Sequence, residues 1–405
     1  MLERQDEREW LETDGAGGFA SGTVGGVRTR RYHALLLVAT NPPTGRYVLV
    51  NGFDATVVLN ERRVPLTAQR YADGQVHPDS TARLVRFTDE PWPTWTFDLG
   101  DGSTLTQEVF VPRGSALAML AFRRQGGSGA ATLEVRPFLS GRDYHALHHE
   151  NPAFEFEPEL APGRATWTMY DGVPGVTAFH NGALEARHDW YRGFLYKEEA
   201  ERGLDATEDL ASPGVFTFDL AAGEAVLVFA AEGATLPSGT ASSASDAAAM
   251  AQALRAAEKR RRARYTSRLH RAADDYIVRR GRGATLVAGY PWFTDWGRDT
   301  FIALRGLCLA TGRLDAARDI LGEWAGAVSE GMLPNRFPDR GDEPEFNAVD
   351  ASLWYVVAVY DYLKAAATTG HPVEDDERAR LASAVAAIVE GYSRGTRFGI
   401  RRDDD

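Results

Sequence analysis

The chain has 405 residues, with 45 basic against 57 acidic side chains, a formal charge of −12, and 44% hydrophobic and 10% aromatic content. That composition builds cores and excludes wholesale disorder. A pI of about 5.3 runs against a dedicated nucleic-acid or anionic-membrane binder, since both need a basic surface to displace counterions. The single cysteine, Cys308, excludes an internal disulfide and a cysteine-based zinc site. The charged start MLERQDEREW lacks a signal-peptide pattern, and no apolar run approaches the roughly 20 residues that cross a bilayer. The expectation is a soluble, cytoplasmic protein of about two to three domains that engages neither nucleic acid nor membrane.

Residues 1–235 read as β structure. Runs rich in Val, Leu, Thr, Phe and Tyr recur between Gly, Pro and Asp punctuation: 32–38, 47–50, 55–59, 95–99, 105–111, 116–123, 132–138, 165–170, 215–220 and 225–230. Several alternate with period two, as half-buried antiparallel strands do. With no helical pattern between them, they predict a large antiparallel sandwich. Residues 236–245, LPSGTASSAS, read as a linker. Residues 246–280 turn helical, completing a linker and connecting helix over 236–288. The basic run Lys259–Arg264 within them is expected to be a solvated face or a set of i,i+4 ion pairs. From 289 to 405 the pattern is helical, with helices predicted at 300–310 (Asp299 as N-cap, Gly312 as stop), 314–328, 349–367 and 375–392. Short turns between them suggest antiparallel hairpins.

Three clusters stand out. Gly289–Thr300, GYPWFTDWGRDT, sets Tyr290, Trp292, Phe293 and Trp296 beside Asp295, Arg298 and Asp299. Aromatic faces stack on sugar rings while carboxylates and a guanidinium hydrogen-bond ring hydroxyls. The same residues also suit a buried tryptophan anchoring a loop, with Arg298 and Asp299 as ion pair and helix cap. The second cluster, PNRFPD at 334–339 and EFNAVDASLW at 345–354, brings Asn335, Arg336 and Asn347 and places Asp350 four residues before Trp354 on one helix face. A carboxyl desolvated by an aromatic face becomes a candidate general acid. As a mere helix cap, Asp350 would instead have its pKa lowered by the helix dipole. Third, His145, His148, His149 and Glu150 have tolerable metal-ligand spacing, but surface or interdomain contacts are the better account, so no metal is expected. Gly15, Gly17, Gly18, Gly22, Gly25 and Gly26 match neither phosphate-loop pattern and read as tight turns.

The stretches Glu9–Gly26, EWLETDGAGGFASGTVGG, and Arg28–Leu36, RTRRYHALL, resemble the N-terminal domain of bacterial and archaeal glycogen debranching enzymes, and Arg142–His145 is similar to the same family. Residues 290–362 resemble the start of its amylo-α-1,6-glucosidase domain. Asp14 departs slightly, where the family often has Asn. The resemblance implies a β-sandwich followed by an (α/α)6 barrel, and cofactor-free, inverting hydrolysis of α-1,6-linked glucose at the branch points of glycogen or another branched α-glucan. It puts Asp350 where the family's general acid lies, and Trp292, Asp295, Trp296, Arg298 and Asp299 where related barrels hold the terminal glucose. Phe293 joins the stacking platform, and Asn335, Arg336, Asn347 and Trp354 complete the expected sugar site. Gly399–Asp405 resembles the middle of the family's pattern, so the barrel is expected to be partial, with its catalytic base beyond residue 405 and apolar helix faces free to self-associate. Two other expectations stand beside this one: a glucosidase of the same barrel type acting on α-1,4 ends, and a non-catalytic glucan-binding protein.

Overall fold

A computed structural model describes residues 7–127, 129–237, 246–337 and 343–403. Most of the expected linker (238–245), Asp339 of the second cluster and the last two residues lie outside the described residues. Contacts divide the chain into two compact units. The first comprises Met1–Asp14, Gly18–Val38 and Arg46–Arg264, and the second Gly15–Gly17, Ala39–Gly45 and Tyr265–Asp405.

The strands run in chain order β1 (Glu9–Thr13), β2 (Phe19–Thr23), β3 (Ala34–Asn41), β4 (Thr44–Leu59), β5 (Arg62–Pro65), β6 (Leu84–Thr88), β7 (Thr94–Asp98) and β8 (Thr104–Phe110). They continue as β9 (Leu117–Gln125), β10 (Ala131–Asp143), β11 (Glu159–Ala161), β12 (Arg164–Trp167), β13 (Val176–His180), β14 (Ala183–Leu195), β15 (Thr207–Asp219) and β16 (Ala225–Ala231). One antiparallel sheet has the order β1-β2-β3-β4-β10-β15-β14, with β5 on β4; the other runs β11-β12-β13-β16-β9-β8-β7-β6. A single apolar cluster joins residues of both, among them Leu49, Val57, Leu133, Phe216, Trp95, Leu120, Trp167 and Phe229. The expected antiparallel sandwich is therefore present. The runs 47–50 and 55–59, read as two strands, are one long strand β4, and a short helix α1 (Lys197–Glu201) interrupts a region expected to hold none.

The connecting helix is where the structure departs from the expected organisation. Helix α2 (Ala247–Arg262) is capped by the Asp246 carboxylate, which accepts from the amide of Ala249 at 2.9 Å. It is part of the first unit, and the sequence of two strands shows why. In β9, Ala118, Leu120 and Phe122 point into the inter-sheet core, while Leu117, Met119 and Ala121 point the other way, onto Met250, Ala251 and Leu254 of α2. β16 divides likewise, with Leu227 and Phe229 inward and Val226 and Val228 under the helix. A strand covered on both faces must be continuously apolar. Two members of the basic run at the end of α2 form ion pairs: Arg261 and Arg262 meet Glu258 at 2.5 and 2.6 Å, and Arg262 also pairs with Glu12.

In the second unit, α3 (Arg268–Asp275) leads into a hairpin, β17 (Ile277–Arg280) and β18 (Gly283–Leu286), that the helical reading of 246–280 did not anticipate. Then come α4 (Gly297–Leu304), a π-helical turn (Arg305–Leu309), α5 (Leu314–Ala325), α6 (Ala351–Thr369) and α7 (Asp375–Arg394). Helix α4 starts before Asp299, so Asp299 sits in its first turn rather than capping it. These elements share a core of Phe301, Leu304, Ile320, Trp324, Tyr355, Tyr362, Leu381 and Ile388. Helix α6 buries Tyr355, Val359 and Tyr362 at helical spacing yet leaves Leu353, Val357 and Tyr360 exposed on another face.

Candidate active site

The two clusters predicted from sequence come together in the second unit. Isolated β-bridges pair Trp296 with Arg336 and Arg336 with Glu345. The amide of Gly297 donates to Asn335 O at 2.8 Å, and that of Asn335 to Glu345 O at 2.8 Å. Position 297 must be glycine, because a Cβ there would stand 2.9 Å from Pro334 O. The buried Asn335 side chain accepts from the Arg298 amide (3.2 Å) and donates to Asn347 Oδ1 (3.2 Å), and Asn347 in turn donates to Glu345. Residues that the sequence sets in separate motifs thus meet in one knitted surface.

On it, Trp292, Phe293 and Trp296 form an edge-to-face chain, with ring centroids 6.4 and 5.9 Å apart. Phe293 is 48% exposed, and the Arg336 guanidinium lies 5.5 Å from the Trp296 ring centre. Such a ledge offers the apolar faces that pyranose rings stack upon. Arg298 donates from Nε (2.9 Å) and approaches with Nη2 (2.7 Å) the same oxygen, Asp350 Oδ1. It also lines, with Asp299, Tyr276, Ile302 and Leu307, an open hollow of about 510 Å³. Arg298 therefore links Asp350 to that hollow.

Two expectations need correction. Asp350 does not rest against an apolar aromatic face that raises its pKa. The hydrogen bond from Arg298 leads the causes that lower it, and the Trp354 side chain joins as a further donor. At 43% side-chain exposure the carboxyl is too open for desolvation to outweigh that pairing. Asp350 also occupies the N-cap position of α6, though its side chain makes no capping bond. Asp295 is not presented to a ligand. It is fully buried against Arg280 (2.5 Å), whose guanidinium stacks 3.7 Å from the Phe337 ring centre, and burial raises its pKa against the opposing pull of Arg280 and Thr285. A carboxylate at 0% exposure holds the loop together. Arg280 and Thr285, missed by the sequence reading, left no signal in it, because they lie on a hairpin read as helix and connector.

The clusters of the first unit do structural duty. His33 accepts from the Thr29 amide and faces Glu9 at 3.2 Å. Arg142 pairs with the wholly buried Glu208, which Tyr196 and the His148 amide also contact. Each member of the histidine cluster has its own partner: His145 with Tyr32 Oη, His148 with Tyr170 Oη, His149 with Asp209, Glu150 with Arg192. Gly18 is set by the Asp14 carboxylate, which accepts its amide at 2.9 Å and leaves no room for a Cβ.

Residues 8–227 match the family model described as glycogen debranching enzyme N terminal, and residues 271–405 match that described as amylo-alpha-1,6-glucosidase. The chain belongs to the glycogen debranching enzyme family. The glycogen debranching enzyme of Saccharomyces cerevisiae is 40% identical over 84 residues, 20% of this chain and 5% of the yeast protein. A bacterial glucoamylase complexed with acarbose superposes with a TM-score of 0.47 at 11% identity, over 96% of this chain and 59% of that one.

Proposed function

We propose that the protein is a cytoplasmic glycoside hydrolase that removes α-1,6-linked glucose at the branch points of glycogen or a related α-glucan, by inverting acid/base hydrolysis on an (α/α)6-type barrel. Asp350 is the general acid that protonates the glycosidic oxygen. Trp292, Phe293 and Trp296 stack the terminal ring, Arg298 and Asp299 bind its hydroxyls, and Asn335, Arg336 and Asn347 hold the supporting loops. The observation that carries this reading is the meeting of Arg298 with Asp350 beside an aromatic ledge, inside the segment that matches the amylo-alpha-1,6-glucosidase model. In this mechanism the guanidinium that holds Asp350 ionised in the free protein turns to a glucose hydroxyl when substrate docks, and the carboxyl then takes up the proton it delivers.

The test is glucose release from a limit dextrin carrying single-glucose α-1,6 stubs, with a linear maltodextrin alongside. Release from the dextrin, reduced at least about 10³-fold by Asp350→Asn while sugar binding persists, is the expected outcome. Faster release from the linear chain would move the protein to α-1,4 ends. A second reading, glucan binding without turnover, is favoured by the lowered pKa of Asp350 and the burial of Asp295. Glycogen affinity in folded wild-type protein that releases no glucose would establish it.

A further inference from the structure

Beside strand β2 and the glycines that follow it, the first unit holds a partly open cavity of about 80 Å³. That is several times the roughly 10–15 Å³ a cavity needs to hold one water. Trp10, Trp95, Phe53 and Phe97 supply apolar wall, and Gly22, Gly25 and Gly26 bring bare backbone to its edge. Any side chain at position 22 would crowd the Trp10 indole, whose Nε1 lies 3.2 Å from where a Cβ would stand.

The polar wall is unusual. Arg28, Asn51 and Gln107 line the cavity and are only 8%, 1% and 7% exposed. Each keeps polar atoms without a hydrogen-bond partner: Nε and Nη1 of Arg28, Oδ1 of Asn51 and Oε1 of Gln107. Other contacts fix two of the three in place. Arg28 Nη2 donates to Gln69 Oε1 at 3.1 Å while its guanidinium lies over the Phe194 ring at 4.7 Å, and Asn51 Nδ2 donates to Glu208 at 3.3 Å. Buried polar atoms in folded proteins are nearly always satisfied, so three such residues around one cavity mark a place where something else completes the bonding.

The unused set contains both donors and acceptors. An anion would suit Arg28 but set its charge against two amide oxygens, a cation would do the reverse, and an apolar guest would leave all four atoms unmet. Hydroxyl groups donate and accept alike, and the C–H face of a pyranose ring packs on indole and phenyl rings. We propose that this cavity binds one neutral aldohexose, as a sugar site separate from the carboxylate site of the second unit. That the hexose is glucose rests on the glucan reading above.

The experiment titrates the whole chain with D-glucose, following tryptophan fluorescence and heat, for the wild type, Gln107→Met and Asp350→Asn, and soaks wild-type crystals in the same sugar. Gln107→Met keeps the side chain's length and removes the acceptor. It is expected to weaken this binding event at least about tenfold with thermal stability retained, since one hydrogen bond to a sugar is lost, while Asp350→Asn leaves the event in place. Soaked crystals are expected to show one hexose against Arg28, Asn51 and Gln107. Density for water alone in the cavity, or undiminished binding by a folded Gln107→Met protein, overturns the proposal, and the crystal decides the matter even if the variant does not fold. Hexose in this cavity of a protein that hydrolyses no glucan would leave this site standing while the glycosidase reading falls.

Discussion

At the scale of single residues, the proposed mechanism turns on the Arg298–Asp350 pair. A general acid works only while protonated, so activity is lost as pH rises through its pKa. Arg298 lowers that pKa in the free protein, which places the alkaline limb of kcat/KM at lower pH than an unpaired aspartate would give. Arg298→Met removes the cation and keeps the stem. Its limb is expected to move to higher pH, with the absolute value of kcat/KM falling because a sugar contact goes too, as a pH–rate profile of both proteins would measure. A limb that stays put, or moves down, would mean that Asp350 is not the acid. How far this site could be read from sequence divides along physical lines. The aromatic ledge was legible because rare residue types crowd within a dozen positions, whereas Asp350 was singled out by the family resemblance and not by its spacing. The fate of Asp295 was not, since it depends on Arg280, fifteen residues earlier on a hairpin with no distinctive pattern. The sign of the Asp350 shift was also hidden, because it is set chiefly by Arg298, 52 residues earlier in the chain.

At the scale of elements, many sandwich strands announced themselves through alternation, whereas β5, β6, β11 and β13 went unread, as did β1, β2 and β14. Their composition mixes glycine, charge and short polar side chains, and their place is set by pairing with neighbours rather than by an apolar period. Helix α7 shows the opposite tension between propensity and packing. Gly391 lies inside it, where alanine would ordinarily gain about 1 kcal/mol. Here a Cβ on Gly391 would stand 2.5 Å from the Cα of Gly331, and one on Gly331 2.6 Å from the Cα of Gly391. Two backbones touch, and neither can yield as a flexible side chain would. Gly391→Ala is accordingly expected to destabilise the protein, by about 1–3 kcal/mol, read as a lowered thermal or urea midpoint. An unchanged or raised midpoint would show that the helix slides away at little cost.

At the scale of the whole molecule, two properties act against each other. The charge of −12 keeps copies apart at neutral pH, while Val349, Leu353, Val357 and Tyr360 of the α6 region present apolar surface between 36% and 64% exposed. As pH falls toward the pI of about 5.3, the repulsion fades and the apolar surface does not. Light scattering is expected to rise between pH 7 and 5.3, and Val357→Lys with Tyr360→Lys should suppress that rise. Scattering that is flat with pH, or unaffected by the double substitution, would contradict it.

The two-sided burial of β9 and β16 bears also on how this protein can change over time. A strand with one wet face accepts almost any residue at every second position. Leu117–Phe122 of β9 and the whole of β16, sealed between the opposite sheet and α2, have no such positions, so each substitution there must satisfy one close-packed neighbour or another. Variation is left to edge strands such as β14, whose residues are mostly half or fully exposed. The chain's innermost strands thus leave its lineage the least room to drift, whatever reaction its other unit performs.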